Sequence, residues 1–597
     1  MCPRPLIPSR CIPAFAWMAI VSTTASVGKA LSVSLEPSIP SPAPLGAVVT
    51  WTANASDASP GVLWYRFRAH RSGQPFHVIR DYGPISTLDW TAADQEGIYE
   101  VELAVRNRDT GESATVLAQY EMLSRVTGDT AVISPTSHPL VFLYSAPPCA
   151  PGSRMMVRFK SASNVAFRTP YKSCAEGLSM NFYLAGMRPD LPYSAQNYIA
   201  TTSGLQAGPV IDSDGSDPTL DLELSQLTVL QSPSESANDP IILHGSLNGM
   251  AIATDLLGNL LWYSPNYVSI LTRPEPGGLF FGLIEDLSGD QSAQVIREFN
   301  LLGLTLAETN AARVNEQLAA LGKRQISSFH HEARALPDGK ILVLASVEQL
   351  LTGVQGPGPV DVLGDMIIVM DSDLQVVWTW DAFDHLDPGR AAILGETWTL
   401  ATAGCPAFYL ADKANDWLHG NSVQLTPDGA LLYSARHQDW LIKIDYNNGN
   451  GSGDVLWRLG RDGDFTFISS DLYPWFSHQH DGQFVPSLQS TITVFDNSNT
   501  RHFLYPGSNS RGQVIQLDEQ NRIATPLLNV DLDVYSAALG AAQRLANGNY
   551  YFSAGTLPDM SALLEEFDSS GAPVYSLKSS GPEYRSFRMR NLYTSPY

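Results

Sequence analysis

Cysteine and charge are the two things this chain has little of. Its 597 residues hold 5 cysteines, and 16% are charged. No CxxC pair occurs, which removes a cysteine-based zinc site. No Lys/Arg run occurs, and the formal net charge is -23. A phosphate-binding surface needs a basic patch, so nucleic acid is excluded as a partner. The acidity serves solubility. Beyond Ala30 no apolar run reaches transmembrane length, so no stable membrane span is expected.

What is there points to strands. Hydrophobic residues make up 44%, with 22 Phe and 23 Tyr, and the turn formers Gly (46) and Pro (40) are plentiful. Many turns, few charges and many aromatics favour an all-β chain over helical bundles. The length is too great for one ordinary core, so several domains are expected.

At the N-terminus, Arg4 and Arg10 precede an apolar stretch from Ile12 to Gly28 that ends in Gly28-Lys29-Ala30. That order reads as a secretory signal over residues 1–30, and places the mature chain in the periplasm or outside the cell. Cys149 and Cys174 then form a candidate disulfide, with Cys405 left over. Residues 31–125 carry short alternating strands such as Tyr99–Val105, an immunoglobulin-like β-sandwich pattern. Residues 130–240 read as a second small sandwich.

From 241 to 597 the pattern becomes a repeat. Each unit has an apolar strand, a turn (Pro337-Asp338-Gly339, Pro427-Asp428-Gly429, Asn547-Gly548) and a second apolar strand. Asp-Gly and Asn-Gly suggest two-residue hairpins. The recurrence is that of a β-propeller, of about six blades. Leu306 to Arg324 reads as a helical insertion.

Three histidines recur at comparable points of these units. His331 and His480 each precede an acid and stand six residues before a proline, and Asn421 keeps that register before Pro427. His419 lies two residues earlier on the same strand face. Blades that share this layout aim the imidazoles at one central space.

The ordered set Phe329-His330-His331-Glu332, Asp416-Trp417-Leu418-His419-Gly420-Asn421-Ser422, Ser434-Ala435-Arg436-His437-Gln438, His478-Gln479-His480-Asp481 and Phe495-Asp496-Asn497 resembles the bacterial arylsulfate sulfotransferases. That family is independent of PAPS, exported, and built as a six-bladed propeller behind a β-sandwich. The resemblance runs from about Ser134 to the C-terminus. It implies transfer of a sulfuryl group from a phenolic sulfate ester to a phenol by a ping-pong route, with no cofactor or metal. His480 takes the role of the transiently sulfated nucleophile. His331, His419, Asn421 and Arg436 hold the sulfuryl group, and His331 or His419 moves the phenol proton. His330, His478, Trp417 and Trp440 are further substrate-binding candidates, with the tryptophans as an aryl wall or as packing between blades. His437 is expected one layer back, because side chains alternate along a strand. The family's polar side chain at the start of the last blade has no counterpart, since that register falls on Leu539 or Gly540; Ser536 and Gln543 are the substitutes. The family includes dimers. No CxPxR motif of the formylglycine sulfatases occurs.

Two other readings use the same residues. His331, His419 and His480 could ligate a metal in a hydrolase or lyase. Alternatively the propeller is a non-enzymatic binding module.

Overall fold

The computed structural model describes residues 31–596 apart from 162–165, 214–221, 223, 234–237, 248, 287–288, 401–406 and 489. The leader expected over residues 1–30 and Cys405 lie outside the described residues. The fold is all-β. Among the described residues, no helix is long and apolar enough to cross a membrane.

The first part of the chain forms two sheets. One pairs Ser32–Pro37, Val49–Ser56 and Thr87–Trp90; the other joins Ala43–Pro44, Ser113–Leu123, Gly97–Asn107, Leu63–Arg71 and His77–Gly83. Alternating residues of both sheets, among them Trp51, Phe67, Trp90 and Val101, form one apolar core. The next part forms two smaller sheets, and Cys149 is bridged to Cys174 there. Its core is not its own: Tyr144, Phe159 and Phe182 continue into Ile241, Trp262 and Phe280 of the C-terminal region.

That region consists of six sheets built on four-stranded meanders. Their lead strands are β1 (Ile270–Glu275), β2 (Ser328–Ala335), β3 (Gly420–Leu425), β4 (His480–Phe484), β5 (Ala541–Arg544) and β6 (Glu583–Met589). Each lead strand touches the next, and β6 touches both β5 and β1. The chain ends are woven into the set. β6 pairs with Ile241–Ser246 at the start of the region. Leu227–Gln231, which the sequence reading counted in the second sandwich, adds an outer strand beside Pro573–Ser579 in the sheet led by β5. The helix expected between Leu306 and Arg324 runs over Ala311–Ala320, capped by the Asn310 side chain.

The repeated turns differ from the two-residue hairpins expected. In each of three sheets a three-residue loop is closed by two bonds: Leu336 N to Lys340 O, Thr426 N to Ala430 O and Leu545 N to Asn549 O, with Gly339, Gly429 and Gly548 bonded back to the residue before the loop. The glycines adopt φ of 81°, 83° and 93°, where a side chain would be strained. This is a tight turn followed by a glycine bulge.

The acids that follow His331 and His480 explain how the lead strands hold together. Glu332 accepts from Arg273 Nε at 3.0 Å and Nη2 at 2.8 Å, and from Arg585 Nη1 at 3.1 Å. Arg273 Nη2 also reaches Asp481 at 2.5 Å. Arg585 donates to the Asn421 carbonyl, and the second Asp481 oxygen accepts from Ala542 N at 3.3 Å. Two arginines and two carboxylates, all buried, thus join residues of all six lead strands. Pairing balances the charges where single ones would be costly.

Candidate active site

Immediately beside this layer the structure gathers six histidines. The rings run in sequence: His330 to His331 at 5.1 Å between centroids, His331 to His419 at 4.8 Å, His419 to His437 at 4.7 Å and His437 to His478 at 5.5 Å. His480 lies within electrostatic reach of Arg436 and His419, and His331 within reach of His480, which puts His480 beside this row. The backbone is held in unusual conformations here. His331, His419, His478, Asp481 and Leu539 have φ of 59°, 48°, 50°, 51° and 63°. Such residues cost of order 1–3 kcal/mol each and gather where a site dictates geometry. At His331 the carbonyl accepts from Tyr584 Oη at 2.7 Å.

The hydrogen-bond partners assign the ring protons. Asn497 Nδ2 donates to the carbonyls of Ser536 (2.9 Å) and Leu539 (3.0 Å), so its Oδ1 must accept. His480 Nδ1, 2.6 Å from that oxygen, therefore carries a hydrogen. Its Nε2 keeps a lone pair and accepts from Leu539 N at 3.3 Å. Burial holds His480 well below the usual histidine range, and the Arg436 charge pushes the same way. Burial does the same to His331, aided by the charges of His419 and His330.

Asp416 organises a second group. Its Oδ2 accepts from His419 Nδ1 at 2.6 Å and from Trp398 Nε1 at 2.6 Å, and the indole stacks 6.4 Å from the His419 ring. Its carbonyl accepts from His437 Nδ1 at 2.8 Å. His437 Nε2 then accepts from Arg436 Nη1 at 2.5 Å, and burial holds that ring well below the usual range too. Arg436 Nη2 donates to the Ala537 carbonyl at 3.0 Å, while its Nε is buried without a partner.

His480, His331, His419 and Arg436 come together. Asn421 joins them differently from the expectation: its amide nitrogen donates to Gln479 O at 2.7 Å, and its buried Oδ1 is unpartnered. His330 stands behind His331, with Nδ1 2.9 Å from His331 Nδ1 and Nε2 3.1 Å from Asp365 Oδ1; it is fully buried, with both nitrogens against protein groups. The same holds for His478, whose nitrogens face Asp439 Oδ1 at 2.8 Å and Glu396 Oε1 at 2.5 Å. Burial opposes its charge, but those two bonds win and raise its pKa. Trp417 and Trp440 pack in the apolar core between neighbouring sheets, their N–H groups donating to Arg390 O and Arg461 O, each at 2.8 Å. They form no aryl wall.

His437 sits in the group rather than behind it. Arg436–Gln438 form a single 3-10 turn, not a strand, and Asp439 closes it at φ 54°, so consecutive side chains turn to one side. Ser536 and Gln543 do not replace the missing polar side chain. Ser536 Oγ donates to Ala538 O at 2.9 Å and Gln543 Nε2 to Arg588 O at 2.8 Å. The backbone N–H of Leu539 faces His480 instead. Trp398 carries no motif or repeat register that marks it in the sequence, whereas Asp416 and Asn497 stand in the quoted motifs without an assigned role.

A metal reading meets an obstacle in the donors. Among the described residues, His331, His419 and His480 do not form a set of converging ligand atoms; Glu396, His437 and His478 do, and so do Asp416, His419 and His437. Both sets share His437, whose Nε2 is occupied by the Arg436 guanidinium. A cation placed there would meet a fixed positive charge.

The family model for the arylsulfotransferases (ASST) matches residues 225–579, more than half of the chain. The chain belongs to the arylsulfotransferase family. No curated protein matches the chain closely enough to count as a relative. The family match begins at the outer strand Leu227–Gln231 and ends with its partner Pro573–Ser579, so it takes in five of the six lead strands. Membership supports aryl sulfotransferase activity in general.

Proposed function

We propose that this arylsulfotransferase moves a sulfuryl group from a phenolic sulfate ester to a phenol in two steps, through an N-sulfo form of His480. The six sheets are read as blades of a propeller whose axis carries the site, and residues 31–125 as an immunoglobulin-like module in front of it. The observation that carries the reading is one set of groups: a neutral His480 whose Nε2 carries the lone pair, a guanidinium whose charge acts on it, and the Asp416–His419 pair.

The sulfate ester is a monoanion, and Arg436 balances its oxygens. His480 Nε2 forms a bond to sulfur as the aryl oxygen–sulfur bond breaks, and the bonding pair leaves on the phenol oxygen. That oxygen takes the Nε2 proton of a doubly protonated His419, whose Nδ1–H stays on Asp416. In the second step the acceptor phenol returns a proton to His419 as its oxygen attacks sulfur. The N–S bond breaks, and its electron pair goes back to His480. Splitting the transfer in this way replaces one difficult step by two easier ones. The Leu539 N–H, 3.3 Å from Nε2, is placed to donate to the sulfuryl group once the lone pair is used. Export is part of the reading, supported by the leader pattern and by the Cys149–Cys174 bridge.

The test is a stopped half-reaction. Protein mixed with p-nitrophenyl sulfate and no acceptor is expected to release one equivalent of nitrophenol and to carry a sulfuryl adduct on His480 by peptide mass spectrometry. His480→Asn is expected to lose both. Transfer retained by that variant would reject His480 as nucleophile.

A further inference from the structure

Four of the six histidines of the site have a side-chain carboxylate or amide against a ring nitrogen. His419, His478 and His330 lie against carboxylates, those of Asp416, of Asp439 and Glu396, and of Asp365. His480 is held by an amide. Its Nδ1 meets Asn497 Oδ1 at 2.6 Å, and both residues are buried. The amide is itself locked, since its nitrogen bonds the carbonyls of Ser536 and Leu539 at 2.9 and 3.0 Å. These carbonyls come from the segment leading into β5, the same segment that presents Leu539 N to the other ring nitrogen.

Resting on the reading of His480 as the nucleophile, we propose that Asn497 is its positioning residue: the amide fixes the Nδ1–H tautomer and leaves Nε2 as the attacking nitrogen. The choice of amide over carboxylate has a chemical reason. A carboxylate behind Nδ1 favours the imidazolium, as it does for His478, and an imidazolium has no lone pair with which to attack. A neutral acceptor orients the ring equally well and confers no charge. The charged groups that face His480 from other elements, Arg436, His419 and Arg585, disfavour a second proton on it, and with burial they outweigh the opposite pull of the Asn497 bond. Asp481, next to it on β4, is bound to Arg273 and does not compensate. Proton transfer is thereby separated from nucleophilic attack: the carboxylate-backed His419 carries the proton and the amide-backed His480 carries the sulfuryl group.

The experiment uses the full chain with Asn497→Ala and Asn497→Asp. For wild type, nitrogen-15 spectra of histidine-labelled protein, assigned by loss of one ring in His480→Gln, are expected to show Nδ1 protonated and Nε2 bare for His480 at neutral pH. Asn497→Ala is expected to mix the tautomers and to lower kcat with p-nitrophenyl sulfate on the order of 100-fold, with KM nearly unchanged. Asn497→Asp is expected to move the acid limb of the kcat profile upward by about one pH unit or more, a shift a merely structural change would not produce. An active wild type with Nε2–H on His480, or variants that keep kcat and the acid limb, would overturn the role of Asn497 alone. A folded wild type that transfers nothing from any aryl sulfate would end the transfer reading itself, whatever the ring spectrum shows.

Discussion

Arg273 and Asp481, 208 positions apart in the chain, meet at 2.5 Å between the lead strands of two sheets that are not neighbours. Both side chains are buried, and Glu332 and Arg585 complete the group. The acid after each of two site histidines therefore has a structural purpose, to tie the strands that carry the imidazoles. Removing one partner leaves an uncompensated buried charge. Asp481→Ala is expected to destabilise the fold by about 3 kcal/mol, read as a lower unfolding temperature in calorimetry. A melting curve that superposes on wild type would show that Glu332 alone neutralises both arginines.

The site also sets how stability responds to acid. Burial keeps His331, His437 and His480 well below the usual histidine range. An unfolded chain binds protons on these rings near pH 6.5, where the fold does not. Their contribution is complete above that pH and is lost as pH falls below it, at about 1.4 kcal/mol per pH unit for each ring. His478 runs the other way, because its folded pKa is raised: its contribution is present below the unfolded value and disappears as pH rises through the folded one. Three rings outweigh one, so these groups lower the melting temperature between pH 7 and pH 5. His437→Gln keeps an acceptor for Arg436 and removes one titrating ring. Its acid slope is expected to be shallower by about one proton; an unchanged slope would mean that His437 is charged in the fold.

The spacing of His331, Asn421 and His480 ahead of a turn marks three of the lead strands, because each sheet repeats the same strand–turn–strand layout. The acids beside the histidines are visible too, though not their purpose, since Arg273 and Arg585 lie in segments with no histidine motif. What stays hidden depends on local backbone breaks and distant partners. The 3-10 turn at Arg436–Gln438 brings His437 round to Arg436, where alternation along a strand would send it away. The contribution of Leu539 is a main-chain N–H and leaves no residue signature. Trp417 and Trp440 look like substrate-facing aromatics in sequence, but indoles of that size fill the space between adjacent sheets equally well. Trp398, which does stack on His419, lies in an extra hairpin (Thr397–Thr399 with Lys413–Asp416) outside the repeat.

That hairpin supplies Asp416, whose carboxylate holds His419 Nδ1 at 2.6 Å. Asp416→Asn preserves shape but offers an amide that can present its NH2 to the ring and reverse the tautomer. If His419 shuttles the phenol proton, kcat is expected to fall on the order of 100-fold, with a smaller loss for donors whose phenolate leaves without protonation. Comparing aryl sulfates of graded leaving-group acidity tests this: a uniform loss across the series would assign Asp416 to architecture rather than to the proton.

Arg436 is where binding and chemistry are hardest to separate. Its guanidinium is positioned by His437 Nε2 on one nitrogen and the Ala537 carbonyl on another, which leaves the buried Nε unpartnered. Burial lowers its pKa, while Glu396, Asp416 and Asp439 oppose that effect and favour the charged form. A lysine at this position carries the charge but not the fork: one ammonium cannot satisfy His437 and Ala537 and still face two sulfuryl oxygens. Arg436→Lys is therefore expected to lower kcat/KM by about 100- to 1000-fold, the scale for losing one preorganised donor to developing oxyanion charge. Inorganic sulfate, which has the same oxygens without the aryl group, should compete with the donor in wild type, and its inhibition should weaken in the variant. If kcat/KM falls while sulfate inhibition is unchanged, Arg436 acts on the transition state alone. If neither moves, the guanidinium is structural and the anion is held elsewhere.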